Sequence, residues 1–265
     1  MSVKPSPVIP VPAASLVLLR DRPAGGIETL LIQRHQQSRF AAGDFVFPGG
    51  KLEAEDTPEE AAVSGFRLDV ETAARRLDLG AAPRTALAYL VGAIREAFEE
   101  VGVLLADGVD GRPVLDAALW FADYRRACQQ DHRAFWGMLC DERLTLATDR
   151  LVYFAHWITP EEQPLRFDTR FFAAPMPDGQ QASADEREIV AVRWLTPAEA
   201  FDARARGEIS LRLPTMKNLA LMTGARSVAE ALHGLQHLQV TAIRPRLVVE
   251  GGARRAILPG EPGYY

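Results

Sequence analysis

The stretch Ala93-Ile94-Arg95-Glu96-Ala97-Phe98-Glu99-Glu100-Val101-Gly102-Val103 decides how this chain is read. Its carboxylates at 96, 99 and 100 are spaced i, i+3 and i+4, which on an α-helix stacks them on one face. Like charges so placed repel, and helix propensity alone does not recommend the arrangement. One reading is a solvated acidic face. The other is a binding face for a divalent cation, since hard cations take oxygen ligands and clustered carboxylates supply them. Gly102, directly after the cluster, predicts a helix stop.

Upstream, Phe45-Val46-Phe47-Pro48-Gly49-Gly50-Lys51-Leu52-Glu53-Ala54-Glu55-Asp56 is a short apolar run broken by Pro-Gly-Gly. It predicts a strand that ends in a tight loop, where the backbone can approach a ligand closely.

Together the two segments resemble the Nudix hydrolase signature: Gly, five residues, Glu, seven residues, then Arg-Glu-aliphatic-any-Glu-Glu-any-Gly-aliphatic. Gly50 takes the first position. Arg95, Glu96, Ala97, Glu99, Glu100, Gly102 and Val103 fill the second half. Asp56 stands where the pattern has Glu, and 38 residues (57 to 94) separate it from Arg95 where the pattern has seven. A split box of this kind resembles the Nudix branch that includes the peroxisomal coenzyme A diphosphatase of animals.

The resemblance implies an α/β/α sandwich with a mixed sheet, a helical insertion inside the box and a C-terminal extension. It also implies Mg²⁺ or Mn²⁺ held by Glu96, Glu99 and Glu100, with the Gly49 carbonyl as a further ligand. Arg95 would project away from the Glu face and pair with Asp56. The catalytic set is then Arg95, Glu99 and Glu100, with Glu188 as candidate general base; the other reading of Glu188 is a solvated acid in Asp185-Glu186-Arg187-Glu188. Gly50 and Lys51 are expected beside the substrate. Strand alternation puts Arg166, Asp168, Arg170 and Phe172 on one face. There Arg170 is a candidate phosphate contact and Phe172 a base-stacking platform, or Asp168 and the arginines form a structural ion pair.

The implied activity is metal-dependent hydrolysis of a nucleoside diphosphate linked to another moiety, with coenzyme A or acyl-coenzyme A as leading substrate. Nucleoside diphosphate sugars, dinucleotides and dinucleoside polyphosphates stay open. So does a non-catalytic nucleotide-sensing module, against which the intact Glu cluster argues. The resemblance also implies a homodimer.

Composition agrees with a globular chain of 265 residues: 48% hydrophobic and 25% charged. A net charge of −5 and the lack of a long basic run give no support to nucleic-acid binding. No run of 18 apolar residues, signal-type h-region or C-terminal peroxisomal address is apparent, and a cytoplasmic location away from membranes is expected. Cys128 and Cys140 have no metal-like spacing.

In chain order, residues 1–12 read as an extended proline-bearing segment and 13–225 as the Nudix domain, with the helical insertion at about 57–86. Residues 226–265 read as a helix and extended tail packed on it. Strands are predicted at Ala13–Leu19, Ile27–Arg34, Phe45–Phe47, Val103–Leu105, Leu151–Ile158, Arg166–Ala174 and Arg187–Leu195. Helices are predicted over 58–80, Thr85–Val101, Leu115–Leu139, Pro197–Arg206, from Leu213, and Ser227–His237. The insertion is expected to be a cap beside the site or an oligomer contact. The five histidines, including the His233/His237 pair, show no metal spacing.

Overall fold

The computed structural model describes residues 8–38, 40–57, 66–115, 121–250 and 253–264. Its centre is β1 (Val11–Asp21), whose residues 13–19 are buried without a break. Such a continuous apolar run marks a strand covered on both faces. Leu16 and Leu18 point into one core, Val17 and Leu19 into the other.

β1 pairs in parallel with β8 (Phe167–Pro175) over nine residues. β8 pairs antiparallel with β7 (Val152–Ile158). On the other flank β1 meets β2 (Ile27–Arg34) only at Leu19–Asp21. Further along the two strands diverge, and the gap holds β3 (Phe45–Val46) on β2 and β4 (Gly49–Lys51) on β1. β9 (Ile189–Leu195) also lies along β2, and β10 (Ala242–Ile243) along β7, completing an eight-stranded mixed sheet.

One face carries α1 (Val70–Arg76), α2 (Pro83–Val101), α3 (Ala122–Cys128) and α4 (Arg133–Asp141). The opposite face carries α5 (Pro197–Ala205), α6 (Leu213–Ala220) and α7 (Val228–Gln236). This is the expected α/β/α sandwich. A capping box between Thr196 and Glu199 starts α5, as the Thr-Pro-Ala-Glu run allows. Val228, Ala231 and Leu235 of α7 sit in the second core, so this helix belongs to the packed body. The tail ends in an antiparallel hairpin, β11 (Arg246–Glu250) and β12 (Ala253–Ile257).

Two expectations are corrected. Residues 103–105 are not a strand: the Gln180 side chain takes both the N–H and the carbonyl of Leu104, the bonds a neighbouring strand would make. Short strands follow instead, β5 (Ala106–Asp107) paired with β6 (Thr145–Leu146). The helix expected over 115–139 is broken into α3 and α4 at Gln129–His132, where Asp131 bonds the Arg133 backbone and side chain; residues 116–120 lie outside the described set. The described part of the insertion contributes to the core on the α2 side of the sheet. Leu68, Ala73, Ala74 and Leu77 are buried beside α2, and the Leu68 N–H is held by Thr148. The expected helix start at Thr57-Pro58 lies at the edge of residues outside the described set.

Candidate active site

α2 is an unusual place for charge. From Ala86 to Val101 every residue is buried except Glu96, which is partly exposed. A solvated acidic face is therefore ruled out, and the buried charges need partners. Gly102 ends the helix in the left-handed conformation at φ 73°, as expected of a C-terminal glycine.

Arg95 organises the charge. Its Nε donates to Asp56 Oδ1 at 2.7 Å and its Nη2 to Asp56 Oδ2 at 2.9 Å and to the Lys51 carbonyl at 3.2 Å. Its Nη1 donates to Glu96 Oε1 at 3.0 Å and Glu99 Oε2 at 3.1 Å. All five guanidinium donors are thus used. The pairing with Asp56 is present, but the expectation that Arg95 turns away from the Glu face is corrected: Nη1 lies between two of its carboxylates. Asp56 also accepts the Glu53 N–H at 2.9 Å, which closes the 3₁₀ turn Ala54–Asp56.

Glycines let the loop come this close. Gly49 has φ 154°, and a Cβ there would lie 2.4 Å from the Ala14 carbonyl oxygen. A Cβ on Gly50 would lie 2.5 Å from Glu96 Oε1, and one on Gly92 would lie 2.6 Å from the Leu52 side chain. Gly92 costs the helix interior about 1 kcal/mol relative to Ala, yet only a residue without a side chain admits the 52–56 segment. The Gly49 N–H donates to Glu100 Oε2 at 2.8 Å, and Arg34 Nη1 to Glu100 Oε1 at 3.4 Å. Arg34 also reaches Glu188 at 3.8 Å. Glu188 is largely exposed and, among the described residues, joins the cluster through this arginine. Lys51 sits at the rim on Glu53, 2.7 Å away.

Several neighbours carry no signal of their own in the sequence. His132 Nδ1 is 3.1 Å from Glu99 Oε1, and its Nε2 is 3.6 Å from Glu53. Arg125 and Gln129 donate to the Glu99 carbonyl at 2.9 and 2.8 Å. The polar run Gln129-Gln130-Asp131-His132 does interrupt the apolar helical pattern, and that break is what turns His132 toward Glu99.

Phe172 is fully buried against Tyr153, ring centroids 5.7 Å apart, and has no face free for a base. Its expected stacking role is corrected: the strand face it shares with Arg170 is the face α2 covers. Arg170 itself lies under the Tyr89 ring at 4.4 Å and 3.8 Å from Asp168.

Burial pushes the Glu96 carboxyl up to about 7, with the Glu99 charge adding and Arg95 opposing. Burial likewise raises Glu99 against Arg95 and His132. Burial and then the Glu96 charge raise Glu100 well above the ordinary carboxylate range, against Arg34. Four carboxylates (Asp56, Glu96, Glu99, Glu100) face two guanidinium groups. Among the described residues no three Asp, Glu, His or Cys side chains are arranged to hold a metal ion; the glutamate oxygens are engaged by Arg95, Arg34, Gly49 and His132. The donor set still suits a hard divalent cation: all oxygen, in excess negative charge, with a glycine where a side chain would fill the approach.

A stability prediction follows. Glu96 titrates near 7 when folded and near 4.5 when unfolded, so between these values the folded state binds the extra proton. Stability without cation must therefore fall as pH rises from about 4.5 to 7. The Glu96 share is on the order of 3 kcal/mol. Denaturant midpoints across this range, compared with Glu96→Gln, should show a flatter profile in the variant, and Mg²⁺ should remove the slope in the parent. Parallel profiles without cation would contradict it.

The family model described as the NUDT19 Nudix domain matches residues 10–222. The chain belongs to the Nudix family. It is a Nudix-type diphosphatase, and Nudix hydrolases generally use divalent metal ions. The acyl-coenzyme A diphosphatase NUDT19 of Homo sapiens is 26% identical over 284 residues, covering 92% of this chain and 74% of the human protein. The protein of that name from Gallus gallus is 30% identical, covering 76% of this chain and 62% of its own length. A NUDIX hydrolase from Alicyclobacillus acidocaldarius shares the fold, with a TM-score of 0.72 at 23% identity, covering 88% of this chain and 99% of the other. No helix among the described residues is long and apolar enough to cross a membrane.

Proposed function

We propose that this Nudix enzyme hydrolyses the diphosphate of coenzyme A and its acyl esters, releasing 3′,5′-ADP and phosphopantetheine or its acyl form. The observation that carries the reading is the Arg95 lock. It holds Glu96 and Glu99 beside Gly50, while Arg34 and the Gly49 N–H hold Glu100, and the cluster keeps more carboxylates than guanidinium groups. The substrate assignment is supported by the likeness to acyl-coenzyme A diphosphatases across most of the chain.

Glu96, Glu99 and Glu100 would hold Mg²⁺ or Mn²⁺, with the Gly49 carbonyl as a further oxygen. A cation bound there supplies positive charge to phosphoryl oxygens and acidifies water. Arg95 orients Glu96 and Glu99, and Arg34 orients Glu100. Glu188, water-facing and tethered to the cluster through Arg34, is the proposed proton acceptor. Gly50 admits the Glu96 carboxylate against the loop backbone, and Lys51 offers a cation at the rim. A homodimer acting in the cytoplasm completes the proposal; elution at twice the monomer mass tests the assembly.

The test is a panel of diphosphates (coenzyme A, acetyl-coenzyme A, NADH, ADP-ribose, a diadenosine polyphosphate) with Mg²⁺ and with Mn²⁺, products identified by mass. Preference for coenzyme A species is expected, and Glu188→Gln should lower kcat by roughly 10²-fold or more. Cleavage of another member in preference would keep the chemistry and reject the substrate. No cleavage of any member would favour a nucleotide-sensing role.

A further inference from the structure

A second buried arginine lies on the same sheet face as the site and is far less satisfied than Arg95. Arg170 is 7% exposed, and its Nε is one of the few buried side-chain nitrogens among the described residues with no hydrogen-bond partner. The nearest carboxylate, Asp168, stands at 3.8 Å and is engaged by His156 at 2.5 Å. Above the guanidinium is the Tyr89 ring, and burial pushes the Tyr153 phenol beside it up to about 12 against the opposing charge of Arg170. A purely structural buried cation is expected to be saturated, as Arg95 is, because each unmet donor costs free energy in a low-dielectric interior.

Two independent rulers relate this cluster to the glutamates. Arg170 on β8 lies opposite Ala14 of β1, and Ala14 lies opposite Gly50 of β4. Arg170 is thus two strand spacings, about 10 Å, from the glycine that touches Glu96. Tyr89 and Glu96 are seven residues apart on α2, two turns on one face and again about 10 Å. Partial exposure of Asp168, at 30% of its side chain, leaves the cluster open to solvent on its outer side.

We propose that Arg170, with the hydroxyls of Tyr89 and Tyr153 and the His156–Asp168 pair, forms a subsite for a phosphomonoester of the substrate, the 3′-phosphate of coenzyme A. The proposal rests on the coenzyme A reading above. That molecule carries its diphosphate on the ribose 5′ oxygen and a monoester on the 3′ oxygen. A diphosphate at Glu96 therefore presents a second anion one ribose ring away. Guanidinium and phenol donors match phosphate oxygens. The Asp168 carboxylate, whose charge is offset by His156 and Arg170, positions these two groups and does not contact the anion.

The experiment compares 3′,5′-ADP with 5′-AMP by calorimetry on the full chain, and kcat/KM for coenzyme A with that for dephospho-coenzyme A. The 3′-phosphate should improve binding and kcat/KM by roughly 10- to 100-fold, the scale of a charge-assisted bond. Arg170→Met should bring both ratios toward one. Tyr89→Phe and Tyr153→Phe, which keep the rings, should reduce them several-fold. Equal binding of the two nucleotides by the unaltered chain overturns the subsite, whatever the stability of Arg170→Met, and so do ratios unchanged in both tyrosine variants. Hydrolysis of coenzyme A and its dephospho form with equal kcat/KM removes the subsite and keeps the substrate reading. An Arg170-dependent preference for 3′,5′-ADP without coenzyme A hydrolysis does the reverse.

Discussion

Glu99→Gln is expected to lower kcat by on the order of 10²- to 10³-fold, the cost of losing one preorganised charge-stabilising group, while the fold survives. Survival is expected because the amide keeps the shape and one oxygen acceptor for Arg95 Nη1 or His132 Nδ1. Removing a carboxylate that burial already disfavours also relieves repulsion with Glu96. The folded-state midpoint in denaturant should therefore stay level or rise slightly without cation. Divalent-ion binding measured by calorimetry should weaken together with kcat. Unchanged turnover in this variant would remove the α2 glutamates from the chemistry, whatever the family resemblance says.

Arg95→Met should do the opposite and strike stability first. It removes every donor of a group that is 1% exposed and leaves Asp56, equally buried, with only the Glu53 N–H among the described residues. Breaking a buried pair by removing one partner costs about 3–5 kcal/mol, a large part of the 5–15 kcal/mol that holds a typical domain. The double variant Arg95→Met with Asp56→Leu should recover much of that loss, since it removes the uncompensated charge as well. Activity should not return, because Glu96 and Glu99 then lack the cation that orients them. A single variant within 1 kcal/mol of the parent would show that the lock does not join loop and helix.

Asp56 illustrates how a departure in the sequence is accommodated. Its side chain is one methylene shorter than the Glu of the family pattern, and it still meets Arg95 at 2.7 and 2.9 Å. Gly92, in the middle of a helix, is the residue that allows it: its absent Cβ would meet Leu52 and come within 3.0 Å of Asp56 Oδ2.

What the sequence determined by itself is whatever acts over one helical turn or one tight loop. The i, i+3, i+4 glutamates, the αL stop at Gly102, the glycine pair before Lys51 and the Thr196 capping box are local events. Their outcome depends on a few neighbouring residues. Tertiary structure decided the rest. Residues 103–105 have strand composition, but the amide of Gln180, 76 positions away from Leu104, takes the backbone bonds of that central residue. Strand alternation correctly grouped Arg170 with Phe172, yet only the packing of α2 over that face buries the ring and leaves the arginine under Tyr89. His132 reaches Glu99 across 33 positions because a helix breaks at Asp131, and Arg34 reaches Glu100 across 66. Such contacts depend on where whole elements lie against one another, and a buried charge accepts whichever partner that packing brings within reach.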